Sequence, residues 1–218
     1  MISYIFSGFN SKEHFGKEVS KYFKKDMIKC ESITFIPGEF DDIDKVKRYV
    51  ATDVEWFKEI NINIKKVNIL NDNMTKCDMK NIIENTDILF IMGGNTQKQN
   101  QFLEKYKLKK LIKETNAVTI GISSGAINLA KKSLCSKDLD DGVEKTIVYN
   151  GIGRISYTFE PHFDKNNPNF LIEKLYPLSN KIKIYGLPNE TGIRISDNNY
   201  EIIMGDLYVI HKNEIKKL

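Results

Sequence analysis

Cysteine and histidine are scarce in this chain of 218 residues, with three of each. Cys30, Cys77 and Cys135 are an odd number without CxxC or zinc-like spacing, which excludes a disulfide framework and fits unpaired thiols in a reducing cytoplasm. No HExxH or comparable ligand pattern is present, so neither a metal nor a cofactor is expected. Long apolar runs are lacking too: none approaches the ~20 residues of a membrane span. The opening stretch "MISYIFSGFN" has no basic lead and no small-residue cleavage site, and reads as a first strand. A cytoplasmic protein with no membrane partner is the expectation. Charge of one sign is also missing, since 33 Lys and Arg against 29 Asp and Glu leave a formal +4. The two signs are mixed along the chain, so no stripe is offered to nucleic acid and no such partner is expected. With no linker, repeat or low-complexity segment, residues 1–218 read as one domain.

What is present is an alternation. Short β-rich runs at 2–8, 32–38, 66–71, 87–94 and 117–123 are separated by segments with helical spacing at 11–25, 43–60, 76–85 and 97–115. That order predicts a doubly wound α/β fold, a mostly parallel sheet flanked by helices. From about Thr146 the pattern turns strand-rich, interrupted by one helix at about 168–177, and the turns "SDNN", "GD" and "KN" predict C-terminal β-hairpins. Ligands in such sheets gather at the C-terminal strand ends. Gly93-Gly94 and Gly121 to Gly125 mark two of those ends and point at one site.

The stretch "TIGISSGAINLA" from Thr119 to Ala130 reads as a nucleophile elbow. A catalytic serine on a strand-to-helix turn needs small residues two before and two after it. Gly121 and Gly125 flank Ser123 at those offsets, whereas Ser124 would need Ile122 to be small. Ser123 is the expected nucleophile, the Ser124 N–H one oxyanion donor, and "AINLAKKSL" the following helix, whose positive end would aid the oxyanion. The structural alternative is a tightly packed turn that does no chemistry. Among the histidines, His14 and His211 fit surface positions. His162, after a strand-like run in "YTFEPHFDK", begins an irregular loop and is the expected base. Glu190, in "YGLPNETGIRI" between two strands, is one candidate to orient it. Glu160, Asp164 and the group Asp138, Asp140 and Asp141 are others, and spacing does not choose among them.

Four segments in order, "FIMGGNT" at 90–96, "GISSGA" at 121–126, "EPHFD" at 160–164 and "GLPNETGIRI" at 186–195, resemble the peptidase E and cyanophycinase group of serine peptidases, whose fold is akin to class I glutamine amidotransferases. The resemblance implies Ser123 as nucleophile, His162 as base and Glu190 as its acidic partner. Gly93 or Gly94 becomes the second oxyanion donor, and an additional acid falls near Asp140. It implies a small peptide as substrate, including dipeptides with N-terminal Asp, a specificity that relatives support with a basic residue beyond the histidine. Here "KNNPNFLIEKL" has no arginine, and Lys165 is the near cation. Glutamine amidotransferases carry cysteine at the elbow, so serine at 123 speaks against that activity. The rival readings are a small-molecule binding or regulatory protein that retains the fold, an esterase or amidase on non-peptide substrates, and hydrolysis of β-aspartyl linkages.

Overall fold

Large apolar residues alternate along the first strands and decide which face of the sheet each helix covers. In the computed structural model, which describes residues 1–137, 143, 145–197 and 199–218, the first half of the chain runs β1 (Ile2–Phe6), α1 (Gly16–Met27), β2 (Ser32–Gly38), α2 (Ile43–Glu59), β3 (Lys66–Ile69), α3 (Lys76–Glu84), β4 (Ile88–Gly94), α4 (Thr96–Lys105), α5 (Lys109–Glu114), β5 (Val118–Ile122) and α6 (Ser124–Leu129). Tyr4, Phe6, Phe35, Phe90 and Ile120 pack with Phe23 of α1 and Val46, Val50 and Phe57 of α2 on one face. Ile5, Ile36, Leu89 and Ile91 pack with Met79 of α3, Phe102 of α4, Ile112 of α5 and Ala126 of α6 on the other. The helix starts are set locally: Asp42 accepts the Lys45 N–H at α2, Thr75 and Asp78 form a capping box at α3, and Asn95 accepts the Lys98 N–H at α4.

The second half adds β6 (Lys132–Cys135), β7 (Ile147–Asn150), β8 (Thr158–Pro161), a helical run of α7 (Pro168–Phe170), a π turn (Leu171–Leu175) and α8 (Tyr176–Ser179), then β9 (Ile184–Leu187), β10 (Gly192–Ser196), β11 (Asn199–Met204), β12 (Tyr208–His211) and β13 (Glu214–Lys217). The central sheet has the order β11-β10-β1-β5-β4-β2-β3. Its β1, β5, β4, β2 and β3 are mutually parallel, and β10 and β11 form an antiparallel edge. A second sheet, β13-β12-β9-β8, holds β8 and β9 as parallel neighbours. The doubly wound, mostly parallel sheet with C-terminal antiparallel strands is what the alternation predicts.

Three local expectations are corrected. The segment 97–115 is two helices, because Lys107 takes a positive φ of 55° and the Leu108 N–H bonds the Leu103 carbonyl at 2.9 Å, closing α4 as a left-handed residue does. The stretch after the elbow is helical only to Leu129; Lys132–Cys135 leaves as β6 and pairs antiparallel with β7. Tertiary pairing overrides helical spacing there, with Ser133, Leu134 and Cys135 buried. The "GD" turn is no hairpin: Gly205 and Asp206 carry the chain from β11 in the central sheet to β12 in the second. No helix among the described residues is long and apolar enough to cross a membrane.

Candidate active site

The elbow is built from its own five residues. Ser123 has φ 49° and ψ −110°, a left-handed conformation that serine adopts only when its surroundings enforce it. Its N–H donates to the Phe6 carbonyl at 2.9 Å, which ties the turn to the end of β1. A Cβ on Gly121 would lie 2.9 Å from the Gly125 carbonyl oxygen, and one on Gly125 2.1 Å from the Ile91 carbonyl oxygen. Both flanking positions therefore need glycine, as the offsets require. Ser124 turns inward and donates its hydroxyl to the Met92 carbonyl at 3.2 Å, which leaves Ser123 to face the cleft.

β4 runs beside β5 in parallel register, so Gly93 and Gly94 end next to the elbow. The Cβ position of Gly93 is 3.7 Å from the Ser123 Cβ. Gly94 has φ 130° and packs its backbone on Gly38, a close approach that a side chain would prevent. The backbone of Gly93 thus lies beside Ser123, Gly94 lines the same cavity, and Ser124 follows in the turn. Ser124 opens α6, whose first N–H groups have no acceptor within the helix.

His162 comes from the second sheet, one residue past β8, and its Nε2 accepts the Ser123 hydroxyl at 3.0 Å. Its Nδ1 lies 2.6 Å from Oδ1 of Asn189. An amide oxygen only accepts, so the imidazole proton is held on Nδ1 and the Nε2 lone pair points at Ser123. Asn189 reaches this position because β8 and β9 are parallel neighbours with Pro161 opposite Leu187, so both strands end at the same edge. The Phe163 N–H donates to the Leu187 carbonyl at 3.0 Å. Ser7, just past β1, clamps the loop between sheets: its hydroxyl donates to the Pro188 carbonyl at 2.6 Å and accepts the Thr191 N–H at 3.0 Å.

Glu190 does not touch His162. With φ 59° it turns away, and its carboxylate accepts from the Asn10 side chain at 3.1 Å. The orienting position expected of Glu190 is occupied by its neighbour Asn189. Sequence reasoning passed over Asn189 because it sought an acid; an amide oxygen offers the same acceptor geometry without charge. Of the competing acids, Asp164 is solvent-facing at the start of the following loop, where it accepts the Asn166 N–H at 2.9 Å. Asp138, Asp140 and Asp141 lie outside the described residues. His14 stacks on Trp56 and meets Glu59 at 2.6 Å, and His211 lies 3.0 Å from the Ser179 carbonyl. Neither approaches Ser123. Cys135 lies on β6, not at a helix end.

A cavity of about 190 Å³ opens beside Ser123 and His162, lined also by Gly94, Ser136, Glu160 and Lys174. Lys174 comes from the π turn, with its ammonium 4.7 Å from the Phe170 ring centre and donating to the Lys137 carbonyl. Lys165, the cation nearest to His162 in sequence, instead lies over the Tyr208 ring at 5.4 Å. Sequence distance misled because α7 and the π turn after it, which carry Phe170 and Lys174, line the pocket rather than the segment directly after His162. Glu160 is buried and accepts the Ser136 hydroxyl at 2.7 Å. Burial pushes its carboxyl up to about 8, against smaller lowering by Ser136 and Lys174.

Glu160 predicts a pH dependence of stability. The folded chain holds a proton that the unfolded chain releases above its ordinary value of 4.5, so this contribution is full below that value and lost as pH rises toward 8. In urea melts, Glu160→Gln is expected to match the wild type at pH 4.5 and to exceed it at pH 9 by on the order of 2–4 kcal/mol. Equal stability at both pH values would refute a proton held by burial.

Residues 3–203 match the family described as peptidase family S51. The chain belongs to peptidase family S51. This serine-peptidase family is the group that the four motifs resemble, and its match runs from β1 to β11. Among solved structures, a peptidase from an acI-B1 Actinobacterium superposes over 100% of this chain and 93% of its own, with TM-score 0.70 and 12% identity. A putative peptidase E protein from Listeria monocytogenes EGD-e covers 94% of this chain and 98% of its own, with TM-score 0.66 and 18% identity. At those identities the likeness is one of fold. A curated relative, the pyridoxal 5′-phosphate synthase subunit PdxT of Methanosphaera stadtmanae, is 27% identical over 123 residues, spanning 54% of this chain and 64% of that protein. The described residues of the S51 chain contain no group of three or more His, Cys, Asp or Glu able to hold a metal ion.

Proposed function

We propose that this S51 chain is a serine exopeptidase that hydrolyses small peptides. The observation that carries the reading is the strained Ser123 with its hydroxyl 3.0 Å from a His162 whose other nitrogen is held by Asn189. Ser123 Oγ attacks the scissile carbonyl while His162 Nε2 takes its proton and returns it to the leaving amine. Asn189, in place of the expected Glu190, fixes the tautomer and ring orientation. Being neutral, it stabilises the imidazolium less than a carboxylate would. The N–H groups of Ser124 and of Gly93 or Gly94 hold the oxyanion, each such donor being worth roughly 3 to 4 kcal/mol of barrier.

The substrate reading rests on the cavity. Its 190 Å³ suits one amino-acid side chain and not an extended peptide. Lys174 supplies a cation for a substrate carboxylate, the role for which Lys165 was the sequence candidate, and this supports dipeptides with N-terminal Asp. The test is hydrolysis of a panel of free dipeptides, Asp-Xaa included, with Asn189→Ala and Glu190→Gln beside the wild type. Asn189→Ala is expected to lower kcat by roughly 10²–10⁴ with little change in KM, and Glu190→Gln to stay within about threefold. The reverse order would return the orienting role to Glu190. A folded protein that cleaves no dipeptide would overturn the peptidase reading in favour of a binding protein.

A further inference from the structure

A second and larger cavity, about 570 Å³, lies under α2 on the opposite side of the Gly93-Gly94 strand end. Its walls are Tyr49 and Val46 of α2, Phe90 and Met92 of β4, and Ile122, the residue before the nucleophile. Gly94 lines this cavity and the one beside His162, so the two adjoin at the end of β4. His162, which must reach any leaving amine, does not line it.

Two carboxyls line the cavity; Glu39 is engaged at the rim, accepting the Phe40 and Asp41 N–H groups and lying 3.9 Å from the Lys98 ammonium, which leaves Asp53 among the apolar walls. It has no hydrogen bond or ion pair among the described residues. Lys45, the cation on the same helix face, is eight residues and therefore ~12 Å of helix rise away. A carboxyl left alone among Tyr49, Phe90 and Met92 is costly to ionise, and a cation brought in by a ligand would remove that cost. Aromatic walls also favour a cation at close range.

We propose that the cavity under α2 is a binding site for a primary amine carried on an apolar body, with its ammonium on Asp53 and its body against Tyr49, Phe90 and Met92. The site adjoins the catalytic serine but does not depend on it, so it stands whether or not the peptidase reading does. Burial alone pushes Asp53 up to about 7, so binding draws off a proton and strengthens as pH rises through neutrality. The other titratable groups facing the cavity are Glu39, from the loop after β2, and Lys45 and Tyr49 of α2; β4 and β5 present none.

The test is calorimetric titration of the intact protein at pH 8 and pH 6 with phenethylamine, tyramine and cadaverine, and with phenethyl alcohol as the uncharged comparison. At least one aromatic amine is expected to bind wild type and Ser123→Ala equally, about tenfold more weakly at pH 6. Asp53→Asn is expected to lose that binding by about tenfold or more and to abolish its pH dependence. Tyr49→Ala, at an exposed helix position, provides a second variant that should weaken the aromatic amines while keeping the fold. Binding of none of the three amines, or equal binding of phenethylamine and phenethyl alcohol, would overturn the proposal. So would unchanged affinity in Asp53→Asn. Peptidase activity in Ser123→Ala bears on the function reading alone, because the titration needs no turnover.

Discussion

Replacing Ser123 with alanine is expected to lower kcat for any dipeptide the protein cleaves by roughly 10⁴–10⁶, with KM nearly unchanged. In the mechanism proposed above the hydroxyl is the attacking atom, and the base that takes its proton is His162 Nε2, 3.0 Å away. Removing Ser123 leaves only the oxyanion donors and the substrate pocket, which account for the residual rate. His162→Ala should fall by a similar factor, and the double variant little further, because nucleophile and base act as one unit. Steady-state kinetics on the best dipeptide, with circular dichroism to establish folding, is the measurement. A loss of less than about tenfold in Ser123→Ala would mean that another group carries the reaction.

Gly125→Ala is expected to be the most damaging single methyl in the elbow. Its Cβ would lie 2.1 Å from the Ile91 carbonyl oxygen and 2.7 Å from the carbonyl carbon. Both atoms belong to the backbone of a central strand, so no side-chain rotation relieves the clash, and α6 must move off β4. Overpacking of this kind costs about 3 kcal/mol or more. Because α6 carries Ser124 and the N–H expected to face the oxyanion, activity should fall with stability. Urea unfolding of Gly125→Ala against wild type checks the first effect, and a change below about 1 kcal/mol would show that the turn is looser than its contacts require.

Much of the elbow was legible in sequence because it is local. Five consecutive residues mark the turn, and the glycines two before and two after Ser123 are its signal, although the backbone that demands glycine at 125 is that of Ile91 on β4. The alternation of β-rich and helical segments likewise encodes the parallel sheet, since each strand buried on both faces must be apolar along its length. His162 was recoverable because three histidines leave few choices.

Neighbouring residues in a loop were not separable in this way. Asn189 and Glu190 occupy adjacent positions between β9 and β10, and which one meets His162 depends on the positive φ at Glu190, the Ser7 clamp on that loop and the Asn10 amide that holds the Glu190 carboxylate. Each contact joins residues some 180 positions apart. Lys174 displaced Lys165 in the pocket because the π turn lines it while Lys165 lies over Tyr208, and β6 replaced the end of a helix because β7 offered hydrogen bonds to it. The sequence by itself determined the sheet, the elbow and which histidine lies beside it, whose signals are local spacing or simple scarcity. The amide against His162, the lysine in the cavity beside Ser123 and the cavity under α2 that holds Asp53 were decided by tertiary structure, because only packing fixes where side chains on separate elements point.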